Sequence, residues 1–126
     1  MSRMAFQYAV LRCVPRPERE EFVNVGVVLH CQRADVLALR WRVDVDRLRA
    51  FAPDLDCARL DAAMAFAEAV AAGDPAAGSV AEQPLGQRFG FLKAPRSTVV
   101  QPGGVHGGLT DDPLAEVDRL LDRYVG

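Results

Sequence analysis

The chain is short of the residue types that would announce a reaction. Its 126 residues include three cysteines, two histidines and a single lysine. Cys13, Cys31 and Cys57 form no CxxC motif, and neither His30 nor His106 has an H-x-x-E or a cysteine pair beside it. Zinc sites draw ligands from closely spaced pairs, so no metal is expected. No cofactor is assigned, because the sequence has neither a GxxxxGK[ST] phosphate loop nor a G-x-S-x-G nucleophile elbow. No apolar run approaches the ~20 residues of a membrane span. The N-terminus shows no basic n-region followed by an apolar h-region, so no secretory leader is expected. Two of the cysteines fall in apolar strand patterns and the third opens a helix face. They read as buried free thiols of a reducing, cytoplasmic compartment.

An excess of charge of one sign is missing too. The net charge is −2, which argues against a nucleic-acid coat or a membrane surface. Arginine supplies fourteen of the fifteen basic residues. Nine fall within residues 1–49 against six acids, whereas residues 50–126 hold six basic and eleven acidic residues. Arginine suits planar recognition of carboxylate or phosphate. On a sheet surface its usual state is a packed stem and a solvated head. Half the residues are hydrophobic and a quarter charged, an ordinary globular composition for one domain over 1–126.

Hydrophobic patterning then divides the chain. Residues 5–14 alternate as a strand, and Pro15 and Pro17 break it. Residues 22–31 are apolar almost throughout, as in a strand covered on both faces, with Gly26 marking a bulge or a close backbone approach. Residues 36–43 form a third strand, with Leu37, Leu39 and Trp41 on one face and Arg40 and Arg42 on the other. Short links make these an antiparallel meander. Asp44 is placed to cap a short helix carrying Val45, Leu48 and Phe51. Asp54 or Asp56 caps a longer one to about residue 72, with Leu60, Met64, Ala67 and Ala71 on its apolar stripe and Gly73 at its end. Residues 73–84 resemble a linker, and residues 87–93 suit either a helical turn or an extended piece. Residues 97–101 read as a short strand followed by a glycine-rich loop over 102–108. Asp112 and Pro113 start the last helix, whose stripe is Leu114, Val117, Leu121 and Tyr124. The order predicts an α+β fold: a mainly antiparallel sheet, a three-stranded meander plus a later short strand, with helices packed on one face.

Three groups of residues carry candidate chemistry. Arg96, Ser97, Thr98 and Gln101 precede the glycine-rich run, and His106 lies within it. A guanidinium, two hydroxyls and a cradle of backbone amides are the materials of an anion site, with His106 as the candidate acid or base. The alternative is conformational, with the hydroxyls starting a strand and the glycines allowing positive φ. Arg12, Arg19, Glu20 and Asn24 bracket the first strand junction and form a second candidate cleft, against the alternative of a solvated turn. Arg40, Arg42, Arg47 and Arg49 beside Trp41 and Phe51 are the third group, the pattern of a single-stranded nucleic-acid surface. Trp41, however, shares the leucine face.

Three strings together resemble one family: YAVLRCVP (8–15), REEFVNVGVVL (19–29), and APRSTVVQ (94–101) with Val105-His106 and Asp111-Asp112-Pro113 after it. The chain is similar to the DUF3037 family of uncharacterised bacterial proteins, over about residues 5–125 and least over 73–84. It departs from the family pattern at Gly103-Gly104, where a Ser-Pro or similar pair is expected. The resemblance implies a partner, a HipA-like kinase-fold protein, and no reaction. The leading expectation is therefore a non-catalytic accessory or interaction protein. A phosphate- or nucleotide-handling enzyme built on residues 96–106 and a single-stranded nucleic-acid binder are the alternatives.

Overall fold

A computed structural model describes residues 3–96 and 98–126. Four antiparallel strands form one open sheet in the order β3-β2-β1-β4: β1 (Met4–Cys13), β2 (Val23–Cys31), β3 (Val36–Trp41) and β4 (Val100–Thr110). The meander pairs β1 with β2 and β2 with β3, as the short links require. β4 returns from the far end of the sequence to the other side of β1. The fold is α+β with a mainly antiparallel sheet, as the patterning predicts.

Four α-helices cover the sheet: α1 (Val45–Phe51), α2 (Cys57–Ala72), α3 (Leu85–Lys93) and α4 (Pro113–Tyr124). Three start as their sequences direct. Asp44, Asp56 and Asp112 each accept a backbone N–H of the first turn, from Arg47, Arg59 and Ala115, satisfying a donor with no intrahelical partner. α2 ends at Gly73 in the left-handed region (φ 70°). Its last carbonyls are taken up by Arg88, whose guanidinium donates to Val70 O and Ala71 O. Residues 87–93, open between two conformations in sequence, lie in α3. The linker-like stretch forms 3-10 turns over Pro75–Glu82, broken at Gly78.

The helices do not all lie on one face. Leu48, Leu60, Met64 and Phe89 from α1, α2 and α3 pack with Ala9, Leu11 and Cys13 of β1. Val117 and Leu120 of α4 pack on Phe6, Tyr8, Val10 and Val27 from the opposite face. This corrects the expectation of one covered face. An amphipathic stripe requires burial without specifying the side of a sheet. The burial stripe of α4 is also shifted, since Leu120 is buried and Leu114 is half exposed.

β2 faces both cores, and a bulge resets which of its residues face each one. Leu11 pairs with Gly26 and Arg12 with Asn24, leaving Val25 as the extra residue. Val23, Val25 and Val28 consequently face one core, and Val27, Leu29 and Cys31 the other. At Gly26 a Cβ would lie 2.9 Å from Arg40 O and 3.1 Å from Met64 Cε. The backbone cannot yield there as a side-chain end could. Gly26→Ala is expected to destabilise the protein by about 1–3 kcal/mol. Gly90→Ala, in α3 with nothing within 4 Å of its Cβ position, is expected to stabilise it by about 0.5–1 kcal/mol. Urea denaturation of the two variants checks the contrast.

Candidate functional site

The structure separates the residues of the 96–106 segment. The Arg96 guanidinium stacks 4.6 Å from the Phe91 ring centroid and donates to Phe91 O and Ala94 O. It thereby closes the C-terminal end of α3, and burial lowers its pKa from the ordinary arginine value. Ser97 lies outside the described residues. Thr98 donates its hydroxyl to Val100 O, and Gln101 Nε2 donates to Thr98 O, so both brace the entry to β4. His106 is exposed on β4 beside Tyr8, with ring centroids 5.4 Å apart, on the face covered by α4. Arg96 and His106 thus belong to different places on the molecule.

The glycine-rich run is strand rather than loop. Residues 102–108 lie inside β4, the longest strand, and pair with β1 from Met4↔Thr110 to Cys13↔Val100. Gly103, Gly104, Gly107 and Gly108 all lack the positive φ that a cradle or tight turn would need. At two of them a neighbouring side chain occupies the space that a Cβ would take. A Cβ at Gly103 would meet the Arg12 guanidinium at 2.9 Å, and one at Gly108 would meet the Phe6 ring at 2.8 Å.

At the first strand junction the candidates divide between two surfaces. Arg19 and Thr98 line a cleft of about 500 Å³ together with Arg16, Phe51, Asp54 and Arg59. Two of its arginines are compensated, Arg19 by Glu21 at 2.6 Å and Arg16 by Asp54 at 3.6 Å. Glu20 is exposed at the end of a 3-10 turn, in the left-handed region at φ 55°. Arg12 and Asn24 stand side by side in register on the α4 face. Asn24 Nδ2 donates to Tyr124 O, tying β2 to the end of α4. Arg12 packs 4.1 Å from the Phe22 ring centroid, and its buried Nε has no hydrogen-bond partner among the described residues. An unsatisfied donor on a cation is rare in a folded protein.

The arginine face of β3 is occupied by α4. Arg40 pairs with Asp118 at 3.2 Å and Arg42 with Asp122 at 3.4 Å, while Trp41 turns to the other core and donates to Glu68 at 2.6 Å. Two arginines of the basic strip, Arg40 and Arg42, thus form a seam between sheet and helix, while Arg47 and Arg49 lie exposed on α1. Among the described residues no group of three or more His, Cys, Asp or Glu is placed to hold a metal ion. No helix among them is long and apolar enough to cross a membrane.

β3 and β4 are the two edges of the sheet, and β4 is the more exposed. It is the last strand of the sheet, it carries no charged side chain, and residues 104–109 are exposed. A family model described as a protein of unknown function (DUF3037) matches residues 8–125. The chain belongs to the DUF3037 family. No curated protein and no solved structure matches it. The matched span of this DUF3037 chain takes in all of β4 and Arg12 of β1, and begins after Phe6.

Burial shifts Tyr8, Cys13 and His30 toward their neutral forms. Burial, followed by the hydrogen bond with Tyr124 at 2.8 Å, pushes the Tyr8 phenol up to about 12. Burial, followed by Cys57, pushes the Cys13 thiol up to about 11, which keeps it protonated and unreactive. His30 packs against Phe89, ring centroids 5.3 Å apart. Burial, and then the Lys93 ammonium, hold its pKa below the ordinary 6.5 against the opposing charge of Asp35. The unfolded chain therefore takes up this proton first as the pH falls. The contribution of His30 to stability is present above its unfolded pKa and is lost as the pH drops through the folded one. In His30→Gln, denaturation followed between roughly pH 8 and pH 5 is expected to lose that part of the acid destabilisation.

Proposed function

We propose that this is a non-catalytic accessory protein that binds by accepting an added strand along β4. The observation that carries this reading is the outer edge of β4. An unpaired edge offers a row of N–H and C=O groups to any extended segment, and proteins usually protect such edges with charge, proline or a bulge. Here Pro102 and the bulge at Gly103-Gly104, where two residues span Val10 alone, protect only the beginning of the strand. Residues 105–109 carry no such device, and Val105 and Leu109 are 42% and 60% exposed. Main-chain pairing would supply affinity, and the side chains flanking the strand would supply selectivity.

The double substitution Val105→Lys, Leu109→Lys charges one face of the edge without touching a core. It is expected to abolish partner capture in a pull-down while changing stability by no more than about 0.5 kcal/mol per site. A HipA-like kinase-fold protein, the partner implied by the family resemblance, is the first bait to use. Capture unchanged by the two lysines rules out the edge as the binding surface.

A second reading has one observation in its favour. The cleft beside Thr98 has the volume of a small-ligand site, and Arg59 has no ion pair there among the described residues. Inorganic phosphate should then raise the melting temperature of the wild type and not of Arg59→Ala.

A further inference from the structure

Arg12 combines a position set by packing with the absence of a counter-charge. It reaches across from β1 so that the Cβ position of Gly103 lies 2.9 Å from Cζ, 2.9 Å from Nη2 and 3.1 Å from Nε. Three nearly equal distances put that point above the plane of the guanidinium, so the group lies flat over the β4 backbone. The Phe22 ring packs on it as well, with its centroid 4.1 Å from Cζ. Nε is buried without a hydrogen-bond partner, and Arg12 enters no ion pair among the described residues. Its neighbours in register, Asn24 and Gln101, are uncharged, and each donates an amide N–H to the main chain, at Tyr124 O and Thr98 O. A cation held in place by packing, with an unmet donor, is arranged to receive an acceptor from outside the chain.

The space beside it is open and floored by glycine. Gly103 and Gly104 together span Val10 in the β1–β4 pairing. Val105 pairs with Ala9 of the other core, so Gly104 shares the α4-side face with His106, which packs beside Tyr8. Gly104 and His106 are both exposed. Nothing lies within 4 Å of the Cβ position at Gly104, and its φ is not positive. Neither a clash nor the backbone conformation therefore calls for glycine at 104, although glycine weakens a strand. Its effect is to leave a notch, with the Arg12 guanidinium at one end, the His106 imidazole at the other and bare backbone between them.

We propose that this notch binds a carboxylate. Arg12 offers coplanar N–H groups to the two oxygens, and His106 offers a further N–H from the far end. One fixed cation balances one negative charge, and a planar fork matches a planar acid better than a tetrahedral dianion. A small organic acid and an acidic side chain of a bound segment share this chemistry. The site uses the face of β4 and is independent of strand addition along its edge.

An NMR titration of the isotope-labelled full chain tests this, with sodium acetate replacing sodium chloride at constant ionic strength. Saturating shifts are expected at Arg12 Nε–H and at the Gly103 and Gly104 amides, with a dissociation constant on the order of millimolar. Gly104→Val fills the notch with a residue suited to a strand, so the variant is expected to fold as the wild type does and to lose these shifts. Arg12→Lys keeps the charge without the fork and should weaken binding at least about fivefold. His106→Ala should weaken it about threefold. Because Gly104→Val disturbs no core residue, it keeps the test valid if Arg12→Lys fails to fold. A second arm uses the peptide acetyl-Val-Glu-Val-amide. Binding tighter than that of acetate assigns the notch to an acidic side chain, and binding no tighter assigns it to a free acid. Shifts that are absent, that fail to saturate or that persist in Gly104→Val overturn the site. Inorganic phosphate binding more tightly than acetate overturns the carboxylate as its ligand, and unchanged affinity in His106→Ala overturns the imidazole as its far wall.

Discussion

The pairing of β1 with β4 is the constraint on which the rest of the molecule depends. From Tyr8 onward β1 is covered on both faces, so each of its ladders must be completed there. β2 completes one ladder through a short local link. Only β4, arriving after three helices, completes the other, and that return fixes where α4 can begin. Thr110, buried at the end of β4, accepts the Asp112 N–H, and the chain turns there into the helix that seals the second face. A loop closure this long is costly in entropy, and the ladder with two-sided burial is what offsets it.

The glycines of β4 follow from the same constraint. In an edge strand their usual reading is weakness, since they pack nothing and lose more entropy on folding. Here Gly103 and Gly108 are paired in space with two long side chains of β1, Arg12 and Phe6, that lean over them. The outermost strand therefore presents its neighbour's chemistry at its own margin. That arrangement sets the Arg12 guanidinium over a strand with no charged side chain of its own. The residues first grouped as an anion site serve this edge indirectly. Thr98 and Gln101 brace the start of β4, Arg96 finishes the helix before it, and His106 lies along it.

Much of this was legible before any coordinates. The α+β class, the meander, the bulge near Gly26, the three aspartate caps, the end of α2 at Gly73 and the helix opening at Pro113 are local matters. Each rests on a residue acting on its immediate backbone or on a side-chain period that a short window contains. The fourth strand was misjudged as a short piece followed by a loop for a definite reason. A period of two is read from side chains, and glycine has none, so a strand with four glycines in eleven residues carries almost no pattern. The arginines of β3 were ambiguous for a related reason. Their alternation shows that they share a face, but the partner on that face, Asp118 and Asp122, lies far along the chain.

The sequence by itself determined which segments are helix or strand wherever side chains report the period, and how most of those segments start and stop. The tertiary structure alone decided that a glycine-rich run is an edge strand, that α4 lies across the sheet from the other helices, and that the Arg12 guanidinium lies over Gly103. The division has one physical origin. Caps and periodicity are interactions between near neighbours and are written within a few residues, whereas a strand's identity as central or edge, and the face on which a helix lands, are set by pairing and burial between segments whose meeting depends on the whole chain.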